Sequence, residues 1–250
     1  MPKVVKIKSQ LKQNKNKTFL ITVLLMLLAL CFFVVSSGLF IAILFQKITL
    51  HIAFPVVLMV VSLTLFFAFF LYKRKFEILR AGVRGESSTL DILKKLPREY
   101  TIISNPVILN RGVTLELDFL VIGKNGVFIV ESKNHRGIVS GKTSKSSWKQ
   151  VKNGKNDSVY EKEINNPVKQ SFRQSRRMLE LFRDFDITAD VYPILFFVDN
   201  SVELRIINDA NIDVSIFKDE TELLDFIHTT KSRKTVSKEE LAKIIHLFKR

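Results

Sequence analysis

The stretch VTLELDFLVIGKNGVFIVESK, residues 113–133, decides which fold class the sequence predicts. Two runs rich in branched and aromatic residues lie on either side of KNG, residues 124–126. Asn-Gly accepts the positive φ that both central positions of a two-residue hairpin turn require. We therefore predict that residues 113–123 and the returning run VFIVESK form neighbouring antiparallel strands.

The second run ends in two opposite charges, Glu131 and Lys133. Because side chains alternate between the faces of a strand, both lie on the face that carries Val127 and Ile129. Asp118, in the first run, comes near Glu131 when the strands pair, although the sequence leaves the register open. A glutamate and a lysine two residues apart are by themselves a common surface ion pair at a strand end.

A third acid, Glu86, lies in the helix that we predict for residues 75–96. It comes four residues before Leu90, on the apolar stripe of that helix rather than on its solvent-facing side. Gly82 and Gly85 precede it. A glycine inside a helix costs about 1 kcal/mol, so two of them favour close packing against the helix backbone.

Three carboxylates and a lysine at core-facing positions need a common physical explanation. Burying a charge is costly unless it is paired or binds a metal, and clustered carboxylates tend to take up protons. A divalent cation removes this conflict, and Mg²⁺ suits the set because it prefers oxygen ligands and retains several waters. A lysine beside a metal-bound water can orient it or stabilise the charge on a phosphate under attack. The alternative is a buried ion-pair network without catalysis.

The rest of the chain predicts an α/β fold with a mixed sheet, since helices and strands alternate along it. One helix has Asn166 as its N-cap and Pro167 in its first turn. Residues 142–162 are predicted to form a polar surface loop around Trp148, which we expect to fold back into the core rather than stack on a base. Strands are predicted at residues 100–105, 137–142 and 190–200, with one or two more within 202–217, and closing helices at 221–228 and 237–249.

The helix that begins at Pro167 carries a polar and basic face. Its members recur at helical spacing: Gln170, Arg173, Gln174 and Arg177. Lys169, Arg173 and Arg177 are predicted to bind nucleic-acid phosphates without reading sequence. The alternatives are a solvated basic face and one that rests on anionic lipid headgroups.

Two uncharged apolar runs, residues 19–45 and 52–72, are each long enough to span a bilayer. Six residues separate them, so we predict a tight antiparallel hairpin, with small residues at 36–38 available for helix contact. Lysines and arginines flank the outer ends while the connecting loop holds Lys47 alone, which places both termini in the cytoplasm. The alternatives are a cleaved signal peptide and a soluble protein with two buried helices.

We therefore divide the 250 residues into a basic cytoplasmic tail (1–18), a transmembrane hairpin (19–72) and a cytoplasmic domain (73–250). The last part carries 32 Lys and Arg against all 24 acids, a net charge of about +8. This excess favours a polyanionic partner, either nucleic acid or anionic lipid. The single cysteine, Cys31, excludes a disulfide framework and a cysteine-based zinc site.

These motifs resemble the nuclease-related domain family, NERD, over about residues 82–200. The resemblance rests on GVRGE in the first helix, LELDFLVIGKNGVFIVESKNHRGIVSG across the hairpin, the single Trp148, and NNPVKQSFRQSRRMLELF in the second helix. NERD domains are similar to restriction-endonuclease-like, or PD-(D/E)xK, nucleases, which implies a mixed sheet flanked by helices. The resemblance matches Glu86 to the helix acid, Asp118 to the central metal ligand, Glu131 to the second ligand, Lys133 to the catalytic lysine and Gln170 to the glutamine of the second helix.

Together, the residues and the resemblance predict a membrane-anchored nuclease at the inner face of the cell membrane. Its cofactor would be Mg²⁺ or Mn²⁺, held by Asp118, Glu131 and Glu86, and its substrate nucleic acid, DNA rather than RNA. Glu86, Asp118, Glu131, Lys133 and Gln170 are the predicted catalytic residues. The second hypothesis is an inactive domain that binds nucleic acid or a protein partner at the membrane, and the third is a structural membrane protein. The sequence does not indicate any particular protein partner.

Overall fold

The computed structural model describes residues 1–110, 112–153 and 158–248. The chain divides into two compact units. Met1–Ser9 and Arg84–Arg250 form the first unit, called here the sheet domain, and Gln10–Val83 form the second, called the helical hairpin.

The sheet domain and the helical hairpin contain the following elements in chain order. The helices are α1 (Gln10–Leu44), α2 (Ala53–Leu93), α3 (Pro167–Asp184), α4 (Glu220–Thr229) and α5 (Lys238–Leu247). The strands are β1 (Lys3–Lys6), β2 (Thr101–Ser104), β3 (Val107–Asn110), β4 (Val113–Glu116), β5 (Phe119–Gly123), β6 (Gly126–Lys133), β7 (Ile138–Lys142), β8 (Ser147–Asn153), β9 (Val159–Asn165), β10 (Val191–Phe197), β11 (Glu203–Ile207) and β12 (Ser215–Phe217). The helix predicted for residues 75–96 is the C-terminal part of the long helix α2.

The helical hairpin consists of α1 and most of α2, and both helices are long and apolar enough to cross a membrane. Most of their apolar side chains are exposed, unlike those of the core helices of a soluble protein. Ser36 Oγ donates to the carbonyl of Pro55 at 2.7 Å, and Ser62 Oγ donates to that of Ala29 at 2.8 Å. Small residues thus join α1 to α2, whereas Gly38 has no atom within 4 Å of the position of a Cβ.

The main sheet of the sheet domain has six strands in the order β1-β2-β5-β6-β10-β12. β2, β5 and β6 pair antiparallel, while β1 joins β2, and β10 joins β6 and β12, in parallel. One apolar core lies between this sheet and helices α3 and α5, and another lies between it and helices α2 and α4. The predicted α/β fold, with a mixed sheet flanked by helices and preceded by two long apolar helices, is therefore confirmed.

A smaller sheet, in the order β11-β7-β8-β9, covers a third core around Trp148. Trp148 is buried as predicted, and its Nε1 donates to the carbonyl of Lys142 at 2.9 Å. The prediction of a surface loop at residues 142–162 is wrong, because β8 and β9 occupy most of this segment. Polar residues lie on both faces of β9, so no apolar alternation marks it as a strand.

The first strand predicted for the hairpin forms two strands instead of one. β4 pairs with β3, and β5 pairs with β6. Between them, the backbone N of Leu117 donates to the carbonyl of Pro106, and that of Asn105 donates to the carbonyl of Asp118, both at 2.9 Å. These bonds redirect the chain from the two-stranded sheet of β3 and β4 to the main sheet, which contains β5. Glu116 and Asp118 therefore do not lie on one face of a single strand.

The hairpin between β5 and β6 is present, but its turn lies one residue earlier than predicted. Gly123 pairs with Gly126, which makes Lys124 and Asn125 the turn residues. Gly126 has a φ of 128°, whereas Asn125 is not among the residues with positive φ. The Asn125 side chain instead ties the turn to the end of α4, because its Nδ2 donates to the carbonyl of Ile227 at 2.7 Å.

The basic N-terminal segment contributes an edge strand to the main sheet, which the sequence did not indicate. Strand β1 pairs with β2 over its whole length. Val5 and Ile7 pack against the core below α3, and Val4 packs against the core below α2. A fragment that begins at residue 73 would therefore lack part of the folded sheet, and experiments on this protein need the full chain.

Val5→Ser is expected to lower the stability of the sheet domain by about 1–2 kcal/mol, because a half-buried aliphatic side chain leaves the core. Lys6→Ser, at the exposed neighbouring position of β1, should stay within about 0.5 kcal/mol of wild type. Denaturant unfolding of the full-length protein in detergent, followed by the fluorescence of Trp148, measures both. Identical midpoints for the two variants would contradict the pairing of β1 with β2.

Candidate active site

The end of β6 carries a buried ion pair. The Glu131 side chain is 3% exposed and the Lys133 side chain 22%, and Lys133 Nζ donates to Glu131 Oε1 at 2.6 Å. Both side chains lie on the face of β6 that also carries Val127 and Ile129, as predicted. Because of this burial, the pair differs from the exposed ion pairs that are common at strand ends.

Helix α3 presents two glutamines to this pair because its first turn is fixed by an N-cap. Asn166 Oδ1 accepts from the backbone N of Val168 at 2.9 Å and from that of Lys169 at 3.3 Å. The Asn166 side-chain amide also donates to the carbonyl of Lys145 at 2.8 Å, which attaches the start of α3 to the turn before β8. The prediction of Asn166 as N-cap and Pro167 as first helical residue is confirmed.

Gln170 connects the two charges of the ion pair. Its Nε2 donates to Glu131 Oε1 at 2.6 Å, and its Oε1 accepts from Lys133 Nζ at 3.1 Å. This double role fixes the orientation of the amide, since the NH₂ group must face the anion and the oxygen must face the cation. The structure therefore brings Gln170 together with Glu131 and Lys133.

Gln174 belongs to the same network, although its spacing in the sequence predicted a place on the polar and basic face of α3. Its side chain is buried, and Nε2 donates to Glu131 Oε2 at 2.7 Å. Gln174 Oε1 is buried without a hydrogen-bond partner among the residues that the structure describes. The signal in the sequence was its position four residues before the buried Met178, on the apolar stripe of α3.

Asp118 lies immediately before β5, opposite Glu131 in the register that pairs Phe119 with Val130. Its Oδ2 accepts from the backbone N of Ser132 at 2.8 Å. Burial, followed by the negative charge of Glu131, raises the pKa of Asp118 well above its usual value, against the opposing effects of Lys133 and of the bond from Ser132. The Asp118 carboxyl is thus close to Glu131 and lacks a full compensating charge.

Glu86 reaches the same region from α2. Burial raises its pKa to about 7, with further contributions from the charges of Glu131 and Glu116. The helix approaches the end of β6 closely here, because a Cβ on Gly85 would lie 2.9 Å from the Cβ of Asn134. Thr89 and Ser132 hydroxyls are hydrogen-bonded at 2.7 Å one turn further along α2. The close packing expected at Gly85 is therefore present.

The donor set at this site consists of carboxylate oxygens, which are the ligands that Mg²⁺ and Mn²⁺ prefer. Over residues 1–110, 112–153 and 158–248, no group of three His, Cys, Asp or Glu side chains is arranged closely enough to hold a metal ion. Both oxygens of Glu131 accept hydrogen bonds from α3 or Lys133 instead. Mg²⁺ needs one or two carboxylates besides waters and substrate oxygens, so Asp118 and Glu131 fit it chemically.

The predicted phosphate-binding residues of α3 do not form a single solvent-facing surface. Lys169 Nζ donates to the carbonyl of Ser144 at 2.6 Å, and Arg177 pairs with Glu180 at 2.8 Å. Arg173 is exposed. Gln170 and Gln174 share the helical spacing of these residues but point into the site. Binding of nucleic acid by the α3 basic residues therefore stays a prediction.

The segment that forms this site is similar to a known domain. Residues 81–198 match the sequence model of NERD, the nuclease-related domain. This match confirms the predicted resemblance to the nuclease-related domain family over the segment that carries the site. A stretch of 71 residues is 35% identical to an uncharacterized protein of Bacillus anthracis and covers 28% of this chain and 34% of that protein. The chain thus spans about a third of the length of this curated relative. No solved structure matches the chain.

Gln174→Glu is expected to destabilise the sheet domain by about 2–4 kcal/mol at pH 8, because it sets a second buried carboxylate against Glu131. The new carboxyl would have a raised pKa in the folded state, so the loss should shrink towards pH 5, where the group stays protonated. Asn211→Asp makes the same amide-to-acid change at an exposed position and should have little effect. Thermal unfolding at both pH values measures the difference, and a pH-independent loss would contradict the proximity to Glu131.

Proposed function

We propose that the sheet domain hydrolyses phosphodiester bonds of nucleic acid at the end of β6, as a metal-dependent nuclease. The observation that supports this most strongly is the crowding of three acids beside Lys133: burial, followed by the charge of Glu131, raises the pKa of both Glu86 and Asp118. A single lysine offsets one of three carboxylates, so a purely structural ion-pair network leaves the others uncompensated. A divalent cation and a phosphate group account for both the excess acids and the lysine.

Each side chain has a role that its position allows. Asp118 and Glu131 would hold Mg²⁺ or Mn²⁺, with Glu86 nearby, and the ion would supply a water of lowered pKa and screen the charge on phosphate. Lys133 can donate to a phosphate oxygen that becomes more negative during attack. The two glutamines of α3 hold the Glu131 carboxylate in one orientation through both of its oxygens.

We also propose that the helical hairpin anchors this domain to the inner face of the cell membrane. Because β1 and β2 are paired, residues 3–6 and 101–104 occupy one compartment. The chain between these two segments must then cross a membrane an even number of times. Two crossings, by α1 and by α2, meet this condition. Cleavage of a signal peptide at residues 36–38 would remove β1 from the sheet. The Lys- and Arg-rich flanks favour the cytoplasm for both ends.

The test is a cleavage assay with full-length protein in detergent. End-labelled DNA and RNA are incubated with Mg²⁺, with Mn²⁺ or with EDTA, and products are expected with either metal, faster from DNA, but not with EDTA. Lys133→Met removes the ammonium group and retains most of the stem, and should cut about 10²–10³-fold more slowly. Binding without cutting by the wild type would favour an inactive nucleic-acid-binding domain, and neither binding nor cutting would contradict the proposal.

A further inference from the structure

Strands β8 and β9 form a two-stranded ribbon whose two faces differ. One face, called here the Trp148 face, carries Trp148 and its cross-strand neighbour Ile164, both part of the third core. Further along the same face come two more cross-strand pairs. These pairs are Gln150 with Lys162 and Lys152 with Tyr160. The alternation of side chains places all of these residues on one side of the ribbon.

The opposite face carries one lysine and two glutamates, and all three charges have partners. Lys149 forms an ion pair with Glu161 at 3.8 Å, and the Ser147 hydroxyl donates to the Glu163 carboxylate. On the Trp148 face, by contrast, Lys152 and Lys162 have no ion-pair partner among the described residues. The ribbon therefore carries excess positive charge on one side.

His135 connects this excess charge to the active site. It follows β6 by two residues, and its ring lies 6.2 Å from that of Phe197. Burial, followed by the charges of Lys133, Lys152 and Lys162, lowers the pKa of His135 to about 4. All three lysines are thus close to one uncharged imidazole. A hydrogen bond also joins the Trp148 face to the segment that follows β6, because Gln150 Nε2 donates to the carbonyl of Arg136 at 2.8 Å.

We propose that the outer end of the Trp148 face, formed by Lys152, Tyr160 and Lys162, binds a single strand of nucleic acid next to the bond that is cut. The proposal rests on the proposed nuclease function and adds where the substrate lies. Lys152 and Lys162 would bind consecutive phosphates leading to Lys133. Tyr160, whose side chain is 46% exposed, lies beside Lys152, where an unpaired base can stack on its ring.

Two features favour this ribbon over α3 as the binding surface. Lys169 and Arg177 of α3 already bind Ser144 and Glu180. The ribbon lysines lack such partners among the described residues, so they neutralise phosphate without first breaking an internal bond. Release of counterions from a single strand then contributes a salt-dependent part of the affinity, with a slope of about 0.7 per neutralised phosphate.

The test measures binding of a fluorescently labelled single-stranded oligonucleotide by anisotropy. Full-length protein is placed in nanodiscs of zwitterionic lipid, so that no anionic lipid competes, and EDTA prevents cleavage. The double variant Lys152→Ala/Lys162→Ala is expected to bind about 10–30-fold more weakly at 0.1 M salt, with a salt slope smaller by about 1.4. Lys149→Ala, on the opposite face of β8, is the matched control and should bind as the wild type does.

The outcomes separate this proposal from the nuclease function. If the double variant binds as tightly as the wild type, the ribbon face is not the binding surface. The same conclusion follows if Lys149→Ala loses as much affinity as each lysine of the double variant does. Neither result affects the proposed nuclease function. If the wild type binds neither single-stranded nor duplex nucleic acid, the nuclease function itself fails. Thermal unfolding of each variant checks that the fold is retained.

Discussion

Glu131→Gln is expected to slow phosphodiester cleavage about 10²–10³-fold while the sheet domain stays folded. The substitution keeps the shape of the side chain and removes the charge that faces Lys133 and the proposed metal ion. The expected effect is large because Glu131 is the shared acceptor of Lys133, Gln170 and Gln174. Initial rates at saturating Mg²⁺ measure the loss, and far-ultraviolet circular dichroism measures the retained fold.

The fold should tolerate this change because Gln174 can adapt to it. The new amide oxygen, placed where Oε1 was, still accepts from Lys133 and Gln170. The new NH₂ group faces Gln174, whose Oε1 has no partner among the described residues and can accept after rotation of its amide. This rotation moves the Gln174 NH₂ group to the position where the oxygen had no partner, so the two side chains keep one hydrogen bond between them but gain none.

Glu163→Gln provides the matched control, since Glu163 is an exposed glutamate of β9. It should cut at the wild-type rate. If Glu131→Gln also cuts at the wild-type rate, the end of β6 is not the reactive centre. If it unfolds, Lys133→Met decides the matter, because that variant keeps the carboxylate and its bonds from α3.

Asp118→Asn is expected to abolish metal-dependent cleavage and yet to raise the melting temperature of the metal-free protein at pH 8. The raised pKa of Asp118 shows that its charged form is unfavourable in the folded state, chiefly because of burial and the Glu131 charge. An amide has no charge to bury and can still accept from the backbone N of Ser132. Each 1 kcal/mol gained moves the melting temperature of a domain of this size by about 2–4 °C.

The sign of the pH dependence follows from linkage. An acid whose pKa is higher in the folded state than in the unfolded state stabilises the folded protein at low pH. This stabilisation is complete below the pKa of the unfolded state and is lost as the pH rises through the pKa of the folded state. For Glu86 this window runs from 4.5 to about 7. The metal-free wild type should therefore lose stability between about pH 5 and pH 8, and Glu86→Gln should lose less.

Added Mg²⁺ should reverse this loss in the wild type. A ligand that binds the folded state stabilises it, and Asp118→Asn should gain much less from the same Mg²⁺ concentration. Melting curves at pH 6 and pH 8, with Mg²⁺ or EDTA, measure all of these effects. Equal pH dependence in the wild type and both variants would contradict the raised pKa values of Glu86 and Asp118.

Local patterns in the sequence were enough to predict the elements that hold the site. The apolar runs on either side of residues 124–126 predicted the hairpin, and strand alternation placed Glu131 and Lys133 on one face. The apolar stripe of α2 predicted that Glu86 points inward. These inferences succeed because each depends on residues that are close together in the sequence, within one helix or within two consecutive strands.

Features that depend on distant parts of the chain could not be predicted. The pairing of β1 with β2 joins residues 3–6 to 101–104, across the whole helical hairpin. The break before β5 depends on the carbonyl of Pro106 and the backbone N of Asn105, which no periodicity reveals. Gln174 lies on the border between the apolar stripe and the basic face of α3. Because it is polar, the pattern predicted the basic face, whereas the side chain is buried.

The most direct test of the central claim is an anomalous diffraction map from crystals of the full-length protein soaked in Mn²⁺. The claim is that the acids at the end of β6 hold a divalent cation. The map should show an ion with carboxylate oxygens of Asp118 and Glu131 at about 2.1 Å, as octahedral Mg²⁺-type coordination requires. A map with no ion at this place, or with Mn²⁺ bound elsewhere in both the wild type and Asp118→Asn, would contradict it.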